Sequence, residues 1–315
     1  MVPVTAPAIA QPTIQTPVKQ LIANLGTVMV GKQEAIRLVL VALFSGSHVL
    51  LEDVPGVGKT LLAKALARSI DGKFQRIQCT PDLLPSDLTG TNIWNAREGK
   101  FEFLAGPIFA NVLLADEINR ATPRTQSALL EVMEENQVTI DGFSHCVGEP
   151  FFVIATQNPI ESHGTFPLPE AQLDRFALAL SLGYPTADEE LEMLQRTQTG
   201  LKLASLQPCI SLDQVRQIQE TCLQVRVERS LQQYMLDLVR ATREDSDLRL
   251  GVSPRGTVTL QRAAQTFAFL EYRDYVIPDD IKRLAPYVLS HRMIPSGGQP
   301  ANRIVERLLK SIPIP

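Results

Sequence analysis

A glycine-rich segment in the first quarter of the chain ends in Gly-Lys-Thr, a combination suited to binding phosphate groups. It lies between a short apolar run and a helical pattern, which is the context that a phosphate-binding loop requires. The glycines let backbone N–H groups turn toward phosphate oxygens, and the N-terminus of the following helix adds a partial positive charge. Lys59 is then expected to reach the β- and γ-phosphates of a nucleotide, and Thr60 to bind magnesium. The predicted nucleotide-binding residues are Asp53, Val54, Pro55, Gly56, Val57, Gly58, Lys59, Thr60 and Leu61.

One position departs from the strict phosphate-loop pattern. The pattern has glycine at position 53, where this chain has Asp53. The motif alone is therefore less specific, and an ordinary glycine-rich turn that ends in Lys-Thr is the alternative interpretation. A second motif further along the chain helps to decide between a phosphate loop and an ordinary turn.

Two adjacent carboxylates, Asp116 and Glu117, follow the apolar run Val-Leu-Leu-Ala. Ligands of open α/β sheets gather at the carboxyl ends of parallel strands. Asp116 is predicted to hold magnesium through water, and Glu117 to take a proton from an attacking water. Such a pair by itself is typical of a solvated strand end or a helix cap. Together with a phosphate loop it indicates nucleotide hydrolysis.

Asn158 stands at the end of the next predicted strand, followed by Pro159. Asn-Pro is a common turn starter, and a plain turn is the alternative. The position is nevertheless a strand carboxyl end in the same sheet, where an amide could orient water between Glu117 and a γ-phosphate. We therefore predict a catalytic role for Asn158.

The elements that must position these residues alternate between strands and helices, which predicts an α/β fold with a parallel sheet covered on both faces. Apolar periodicity predicts helices at residues 18–25, 33–44, 59–70 and 125–136. The predicted strands are residues 48–52, 74–78, 111–115, 151–156 and 176–181.

Only helical patterns follow Pro185, so we place a domain boundary there. The expected organisation is a flexible N-terminal segment at residues 1–17, an αβα core at residues 18–185 and an all-helical domain at residues 186–315. The predicted helices of the last domain are residues 187–197, 212–223, 230–243, 254–272 and 279–291.

Composition excludes several classes of protein. The chain has 315 residues, 44% of them hydrophobic, with a formal net charge of −4. Global disorder is excluded, and the basic excess usual for non-specific nucleic-acid binding is absent, although the net charge alone leaves a local basic patch open. Four widely spaced cysteines predict reduced core thiols, and the sequence has neither a membrane span nor a convincing secretory signal. We therefore expect a cytoplasmic protein.

Taken together, these motifs resemble those of the AAA+ ATPases, and among them the MoxR family. The resemblance runs from about residue 28 to residue 291. Asp53 in place of the first loop glycine is common in that family, so the departure noted above loses weight. The resemblance implies a five-stranded parallel sheet in the AAA+ core and a helical lid domain. The motifs that carry it are residues 49–60, Asp116-Glu117-Ile118-Asn119-Arg120-Ala121, Gln157-Asn158-Pro159, residues 168–176 and Ser253-Pro254-Arg255.

The resemblance also implies roles for individual residues. Lys59 and Thr60 match Walker A, Asp116 and Glu117 match Walker B, Asn158 matches sensor 1, Arg175 the arginine finger and Arg255 sensor 2. From the residues alone, Arg175 would be a surface cation beside Asp174, and Arg255 a charge just inside a helix N-terminus. Whether Arg255 acts in its own subunit's site or in a neighbour's is open.

Two segments look like insertions of this clade. Residues 91–103 are expected to form a β-hairpin inserted in helix 2, and residues 137–146 a hairpin before sensor 1. In related ring motors such hairpins face the central pore, although either could be a bland solvated hairpin. The first carries two cations and two anions and the second a single acid, Asp141, whereas a DNA-tracking hairpin is normally cationic.

The leading hypothesis is an Mg²⁺-ATP-dependent chaperone that remodels or matures client proteins, including by insertion of a metal cofactor. The resemblance implies a ring, expected to be a hexamer, and a partner with a von Willebrand factor A domain. The alternatives are a nucleic-acid motor of the same clade and the ATPase subunit of a magnesium-chelatase-like complex. The stretch Glu170-Ala171-Gln172-Leu173 favours the MoxR family over the chelatase.

Overall fold

The computed structural model describes residues 12–159, 164–199 and 203–315. Its helices are α1 Pro12–Val28, α2 Gln33–Phe44, α3 Lys59–Ser69, α4 Pro85–Thr89, α5 Pro123–Glu135, α6 Glu170–Leu173, α7 Ala187–Thr199, α8 Leu212–Leu223, α9 Arg229–Glu244, α10 Pro254–Leu270, α11 Pro278–Leu289 and α12 Ala301–Ser311. Its strands are β1 His48–Glu52, β2 Phe74–Gln78, β3 Gly90–Asn95, β4 Lys100–Ala105, β5 Val112–Asp116, β6 Gln137–Ile140, β7 Phe143–Cys146, β8 Phe152–Gln157, β9 Phe176–Leu180, β10 Leu248–Leu250 and β11 Ile294–Pro295.

The five predicted core strands form one parallel sheet in the order β2-β5-β8-β1-β9, so the predicted αβα architecture is confirmed. Successive side chains of a strand point to opposite faces. Leu51 of β1 therefore packs into a core formed with α1, α2, α3 and helices of the C-terminal domain, whereas Leu50 packs against α5 on the other face. Both faces of β1, β5, β8 and β9 are largely buried, which explains their near-continuous apolar runs, whereas the edge strand β2 is partly exposed.

Two antiparallel hairpins project from this core, as predicted: β3 pairs with β4, and β6 with β7. The hairpins contact one another, because Asn92 donates a 2.6 Å hydrogen bond to Asp141 and the Phe103 ring stacks on His145. The prediction that the first hairpin is inserted in helix 2 is only partly confirmed. The short α4 precedes the first hairpin, but residues 106–111 after it form turns rather than a helix.

The C-terminal domain is helical from α7 to α12, with two departures from expectation. Strands β10 and β11 pair with each other, although no strand was predicted there. They have three and two residues, too few for a period of two to be visible. Helix α12 was also missed, and its buried residues Ile304, Val305 and Leu308 complete the apolar core of this domain.

The N-terminal segment that was predicted to be flexible, residues 1–17, overlaps the first helix. Helix α1 begins at Pro12, since proline is tolerated at the first helical position, and it continues through Pro17. Its residues Leu21 and Leu25 are buried in the core. Residues 1–11 lie outside the described part of the chain. The expected boundary at residue 185 falls in segment 181–186, which joins β9 to α7 without helix or strand.

The cysteines are free, as predicted, but not all of them belong to the core. Cys79 and Cys222 are buried, Cys209 is half-buried and Cys146 is exposed on β7. None of the helices in the described ranges has the length and apolar character that a membrane crossing needs.

Candidate functional site

The predicted phosphate loop connects the end of β1 to the start of α3. Gly56 and Gly58 have φ values of 90° and 100°, a conformation that side chains with a Cβ rarely adopt, so glycine is required at both positions. The Lys59 ammonium donates hydrogen bonds to the carbonyl oxygens of Asp53 at 2.9 Å and Val54 at 3.3 Å. The lysine therefore lies over its own loop, next to the N-terminus of α3.

The Asp53 side chain points away from the loop's interior. It is buried, and its carboxylate accepts hydrogen bonds from the Ser181 hydroxyl at 2.6 Å and from the N–H groups of Leu182 at 2.7 Å and Gly183 at 3.1 Å. These three donors belong to the segment that leads from β9 into α7. The residue that breaks the strict motif thus ties the phosphate loop to the entrance of the helical domain, a role that sequence reasoning missed.

Asp116, at the end of β5, is held from both neighbouring strands. Its Oδ1 accepts a 2.7 Å hydrogen bond from the Thr156 hydroxyl of β8, and its Oδ2 pairs at 2.7 Å with the Arg76 guanidinium of β2. Neither Thr156 nor Arg76 was predicted as a site residue. The carboxylate is 13% exposed and is aimed at the cleft described below.

Glu117 adopts a left-handed backbone conformation with φ 56° and ψ 51°, unusual for a residue other than glycine. Its N–H group donates a 2.9 Å hydrogen bond to the Thr156 hydroxyl, which holds this conformation in place. Its carboxylate forms a 3.0 Å ion pair with Arg120. Backbone strain of this kind concentrates at functional sites.

These side chains meet in one cleft of about 440 Å³ at the carboxyl edge of the sheet. Asn158, which is buried, lies in the same cleft as Lys59, Thr60, Asp116 and Glu117. The Thr60 hydroxyl and the Asp116 carboxylate supply the oxygen donors that Mg²⁺ prefers, so the donor set fits this ion. The remaining residues that line the cleft are Pro55, Gly56, Gly58, Leu61, Arg76 and Gln78.

A second cavity, also of about 440 Å³, adjoins the cleft and shares the phosphate loop with it. Most of its wall is apolar, which suits the base and sugar of a nucleotide. Its walls come from the end of α1, the start of α7 and the segment between β9 and α7, none of which was predicted to bind nucleotide. The apolar residues are Val28, Met29, Val30, Pro55, Val57, Leu61, Tyr184, Pro185, Met193 and Leu194.

Arg175 and Arg255 do not line either cavity. Both lie in a third cavity of about 570 Å³, together with Glu134 and the first residue of β1, His48. Arg175 precedes β9, whose first residue Phe176 pairs with His48 at the amino edge of the sheet. A five-residue strand spans about 16 Å, so the arginines are separated from the phosphate loop by the length of the sheet. The structure therefore divides the predicted site residues into two groups.

His48 is part of this amino edge and is fixed in one tautomer. Its Nδ1 accepts a hydrogen bond from the Val153 N–H group at 3.1 Å, so Nε2 carries the proton and donates to the Met133 carbonyl at 3.0 Å. Burial lowers the pKa of the imidazole to about 4, because the charged form would lose its hydration. His48 is therefore a neutral link between β1, β8 and α5.

Comparisons with known proteins agree with this architecture. Residues 48–178 match the family described as ATPases associated with various cellular activities (AAA), and residues 240–308 match the AAA lid domain. YeaC, an uncharacterised protein of Bacillus subtilis, is 50% identical over 299 residues, which cover 93% of each chain. Chaperone MoxR1 of Mycobacterium tuberculosis is 41% identical over 302 residues, covering 91% of this chain and 80% of the relative. The crystal structure of a "putative ATPase" from Cytophaga hutchinsonii has a TM-score of 0.90 and 41% identity and covers 96% of both chains.

Proposed function

Because the chain belongs to the MoxR family of AAA+ ATPases, we propose that it hydrolyses ATP with Mg²⁺ and uses the energy as a chaperone that remodels or matures client proteins. The main support for this proposal is the position of the predicted site residues. The phosphate loop, the Asp116-Glu117 pair and Asn158 converge on one cleft, beside an apolar cavity of a size suited to a nucleoside.

Each residue of the cleft has a chemical task in this proposal. Loop N–H groups and Lys59 bind the phosphates, so the ammonium exchanges the carbonyls of Asp53 and Val54 for phosphate oxygens. Thr60 and Asp116 would hold Mg²⁺, which neutralises developing charge on the phosphate oxygens. Glu117 takes a proton from the attacking water.

Asn158 completes the group around the attacking water. It lies in the same cleft as Glu117, and its side-chain amide can both donate to and accept from a water molecule. A water fixed between this amide and the Glu117 carboxylate would be aligned with the γ-phosphate. We therefore assign Asn158 to positioning the water rather than to proton transfer.

Arg175 and Arg255 are proposed to act on ATP bound by a neighbouring subunit. They lie at the opposite edge of the sheet from the phosphate loop of their own chain, which supports action in trans for both. Guanidinium groups stabilise the negative charge that spreads over the γ-phosphate oxygens in the transition state. The resemblance to AAA+ ring ATPases supports an oligomer, and we propose a hexameric ring in which each ATP lies between two subunits.

The hairpins support a protein client over a nucleic acid. The aromatic side chains Trp94, Phe101 and Phe143 are 57%, 69% and 71% exposed. Exposed rings can pack against an apolar polypeptide or stack on bases, but single-stranded nucleic acids also require cations along the backbone path. Arg97 and Lys100 are balanced by two glutamates on the same hairpin, so this requirement is not met.

The finer parts of the proposal rest on the family resemblance. They are a partner with a von Willebrand factor A domain and the maturation of clients by insertion of a metal cofactor. The relative in Mycobacterium tuberculosis is named a chaperone, which supports the general class. A nucleic-acid motor and a magnesium-chelatase-like subunit are the alternatives.

The test combines phosphate release with capture of bound partners. The Glu117→Gln variant, purified with ATP from the native cells, should retain client and partner proteins, because it binds ATP without turning it over. The Lys59→Ala variant is the matched control, since it should not bind ATP. Protein enriched only with Glu117→Gln supports the chaperone, whereas nuclease-sensitive nucleic acid in that fraction supports the motor. A wild-type protein that releases no phosphate from ATP contradicts the proposal.

A further inference from the structure

Glu134 bridges the two arginines at the amino edge of the sheet. Its Oε2 lies 2.9 Å from Nη1 of Arg175, and its Oε1 lies 3.1 Å from Nη2 of Arg255. The Glu134 side chain is 37% exposed, so this contact is open to solvent rather than sealed in the core. A single carboxylate thus pairs with both cations in the isolated chain.

The two arginines are also joined through the residues beside them. Asp174, next to Arg175, accepts a 2.8 Å hydrogen bond from the hydroxyl of Ser253, which caps the N-terminus of α10 near Arg255. The other oxygen of Asp174 pairs at 2.7 Å with Arg292, a buried side chain. The loop before β9 and the first turn of α10 are therefore fixed to each other, and the two guanidinium groups are presented together.

Glu134 lies in the last turn of α5, a helix of 13 residues that spans about 20 Å. The helix begins at Pro123, shortly after Glu117, and ends just before the β6–β7 hairpin. It therefore connects the nucleotide cleft of its own subunit to the arginine pair at the far edge of the sheet.

The contact with Glu134 leaves one N–H donor of the Arg175 guanidinium without a hydrogen-bond partner among the described residues. The Nε atom of Arg175 is buried and has no hydrogen-bond partner among the described residues. Buried polar atoms are normally hydrogen-bonded, so this donor remains available to a further acceptor. An anion with several oxygens, such as a terminal phosphate, could satisfy the two arginines more completely than a carboxylate.

We propose that Glu134 is a positioning residue that holds Arg175 and Arg255 together in the free subunit, and that the terminal phosphate of a neighbouring subunit's ATP displaces it when the interface closes. This inference rests on the proposed function, since it requires that the arginines act in trans. Glu134 then competes with the neighbour's nucleotide, and its charge sets how readily nucleotide-bound subunits associate.

Whether loss of Glu134 strengthens or weakens subunit association distinguishes this role from simple structural support. Loss of the Glu134 charge removes the carboxylate partner of both arginines and leaves Arg175 with the Leu130 carbonyl oxygen as an acceptor, so the neighbour's phosphate is attracted more strongly and association occurs at lower protein concentration. If Glu134 only stabilised the fold, its loss would weaken association. Solvent-exposed ion pairs are individually modest, which sets the expected size of the change at about threefold to tenfold.

The experiment measures phosphate release per subunit against protein concentration for wild type, Glu134→Gln and Glu135→Gln. Sedimentation velocity with a non-hydrolysable ATP analogue provides an activity-independent measure of association. Glu135 is exposed and neighbours Glu134 on the same helix end, so Glu135→Gln is a control for the charge change alone. Glu134→Asp retains the charge on a shorter side chain and should fall between wild type and Glu134→Gln.

The expected result is a half-maximal concentration about threefold to tenfold lower for Glu134→Gln than for wild type and unchanged for Glu135→Gln. In an Arg175→Ala background, where hydrolysis is too slow for the release assay, sedimentation with the ATP analogue should show a smaller shift, because only Arg255 then remains paired with Glu134. A Glu134→Gln curve that coincides with wild type, or moves to higher concentration, overturns the role of Glu134 alone if wild type hydrolyses ATP. A wild type without ATP hydrolysis overturns the proposed function and this inference together.

Discussion

The carboxylate of Asp53 accepts a 2.6 Å hydrogen bond from the hydroxyl of Ser181, which lies 128 positions further along the chain. Asp53 begins the phosphate loop, and Ser181 begins the segment that leads into the helical domain. The Lys32 ammonium donates hydrogen bonds to the same segment, at the carbonyl oxygens of Gly183 and Tyr184. The phosphate loop is therefore bonded directly to the entrance of the helical domain.

The first prediction concerns this link. Asp53→Ala should lower the free energy of unfolding by about 2–3 kcal/mol, because three donors that now bind a buried carboxylate lose their acceptor. Asp53→Asn, which keeps an acceptor of the same shape but no charge, should cost less. Urea unfolding followed by circular dichroism measures both variants. Equal unfolding midpoints for Asp53→Ala and wild type would show that the link does not contribute to stability.

The second prediction separates nucleotide binding from hydrolysis. Lys59→Ala should abolish ATP binding, because the proposed role of Lys59 is to contact phosphates in the ground state. Glu117→Gln should retain binding and lose turnover, because the proposed role of Glu117 is to act on the water only as the reaction proceeds. Isothermal titration calorimetry and a phosphate-release assay measure the two quantities. An ATP affinity of Lys59→Ala equal to that of wild type would refute the phosphate-loop assignment.

The third prediction is a loss of stability below neutral pH that depends on His48. The pKa of this buried imidazole is lowered from 6.5 to about 4 in the folded protein. The unfolded chain therefore binds more protons between these values, and stability falls as pH falls from about 6.5 toward 4. The full loss from this group is about 3 kcal/mol.

The matched variant for the third prediction is His48→Gln. Glutamine can still donate to the Met133 carbonyl and accept from the Val153 N–H group, but it does not titrate. The free energy of unfolding, measured by urea titration at several pH values, should decline less steeply in His48→Gln. His291, which is half-buried, also has a lowered pKa because of desolvation and the neighbouring Arg292 charge, so part of the slope should remain. Identical slopes in the two proteins would contradict the assignment.

The fourth prediction concerns nucleic acids. Binding to single- or double-stranded DNA at physiological salt should be no tighter than about 10⁻⁴–10⁻⁶ M, the non-specific range. The reason is the balanced charge of the β3–β4 hairpin and the lack of Lys and Arg in the β6–β7 hairpin. Fluorescence anisotropy measures this affinity. Nanomolar binding, or a tenfold stimulation of ATP hydrolysis by DNA, would favour the motor over the chaperone.

Much of the nucleotide cleft could be predicted from the sequence, because its residues follow a simple rule. Asp116 and Asn158 each end or follow an apolar strand, and the carboxyl ends of parallel strands meet at one edge of the sheet. The bounds of β1 and β2 also agree with the predicted ones, since strand and turn signals are sharp there.

Contacts between distant segments could not be predicted in the same way. The hydrogen bonds that Asp116 receives depend on β5 lying between β2 and β8, and hydrophobic periodicity does not give the order of strands in a sheet. The separation of Arg175 from Lys59 likewise required the position of β9. Asp53 looked like a departure from a motif because its partners are more than 120 residues away.

ATP is proposed to be hydrolysed between subunits, with Arg175 supplied by the neighbour. Arg175→Ala alone should bind ATP nearly normally and hydrolyse it about 10³–10⁵ times more slowly, a loss of about 4–7 kcal/mol in transition-state stabilisation. Lys59→Ala, which retains Arg175, should be inactive because it does not bind ATP.

The most direct measurement is phosphate release from mixtures of these two inactive variants. Arg175→Ala contributes an intact phosphate loop and Lys59→Ala an intact arginine, so interfaces that combine the two should regain activity. Exchange of subunits is verified with differently labelled proteins. We predict that activity returns in the mixtures and is greatest near equal proportions. Proven exchange with no activity at any ratio would rule out action in trans and make Arg175 a structural residue or one that acts within its own subunit.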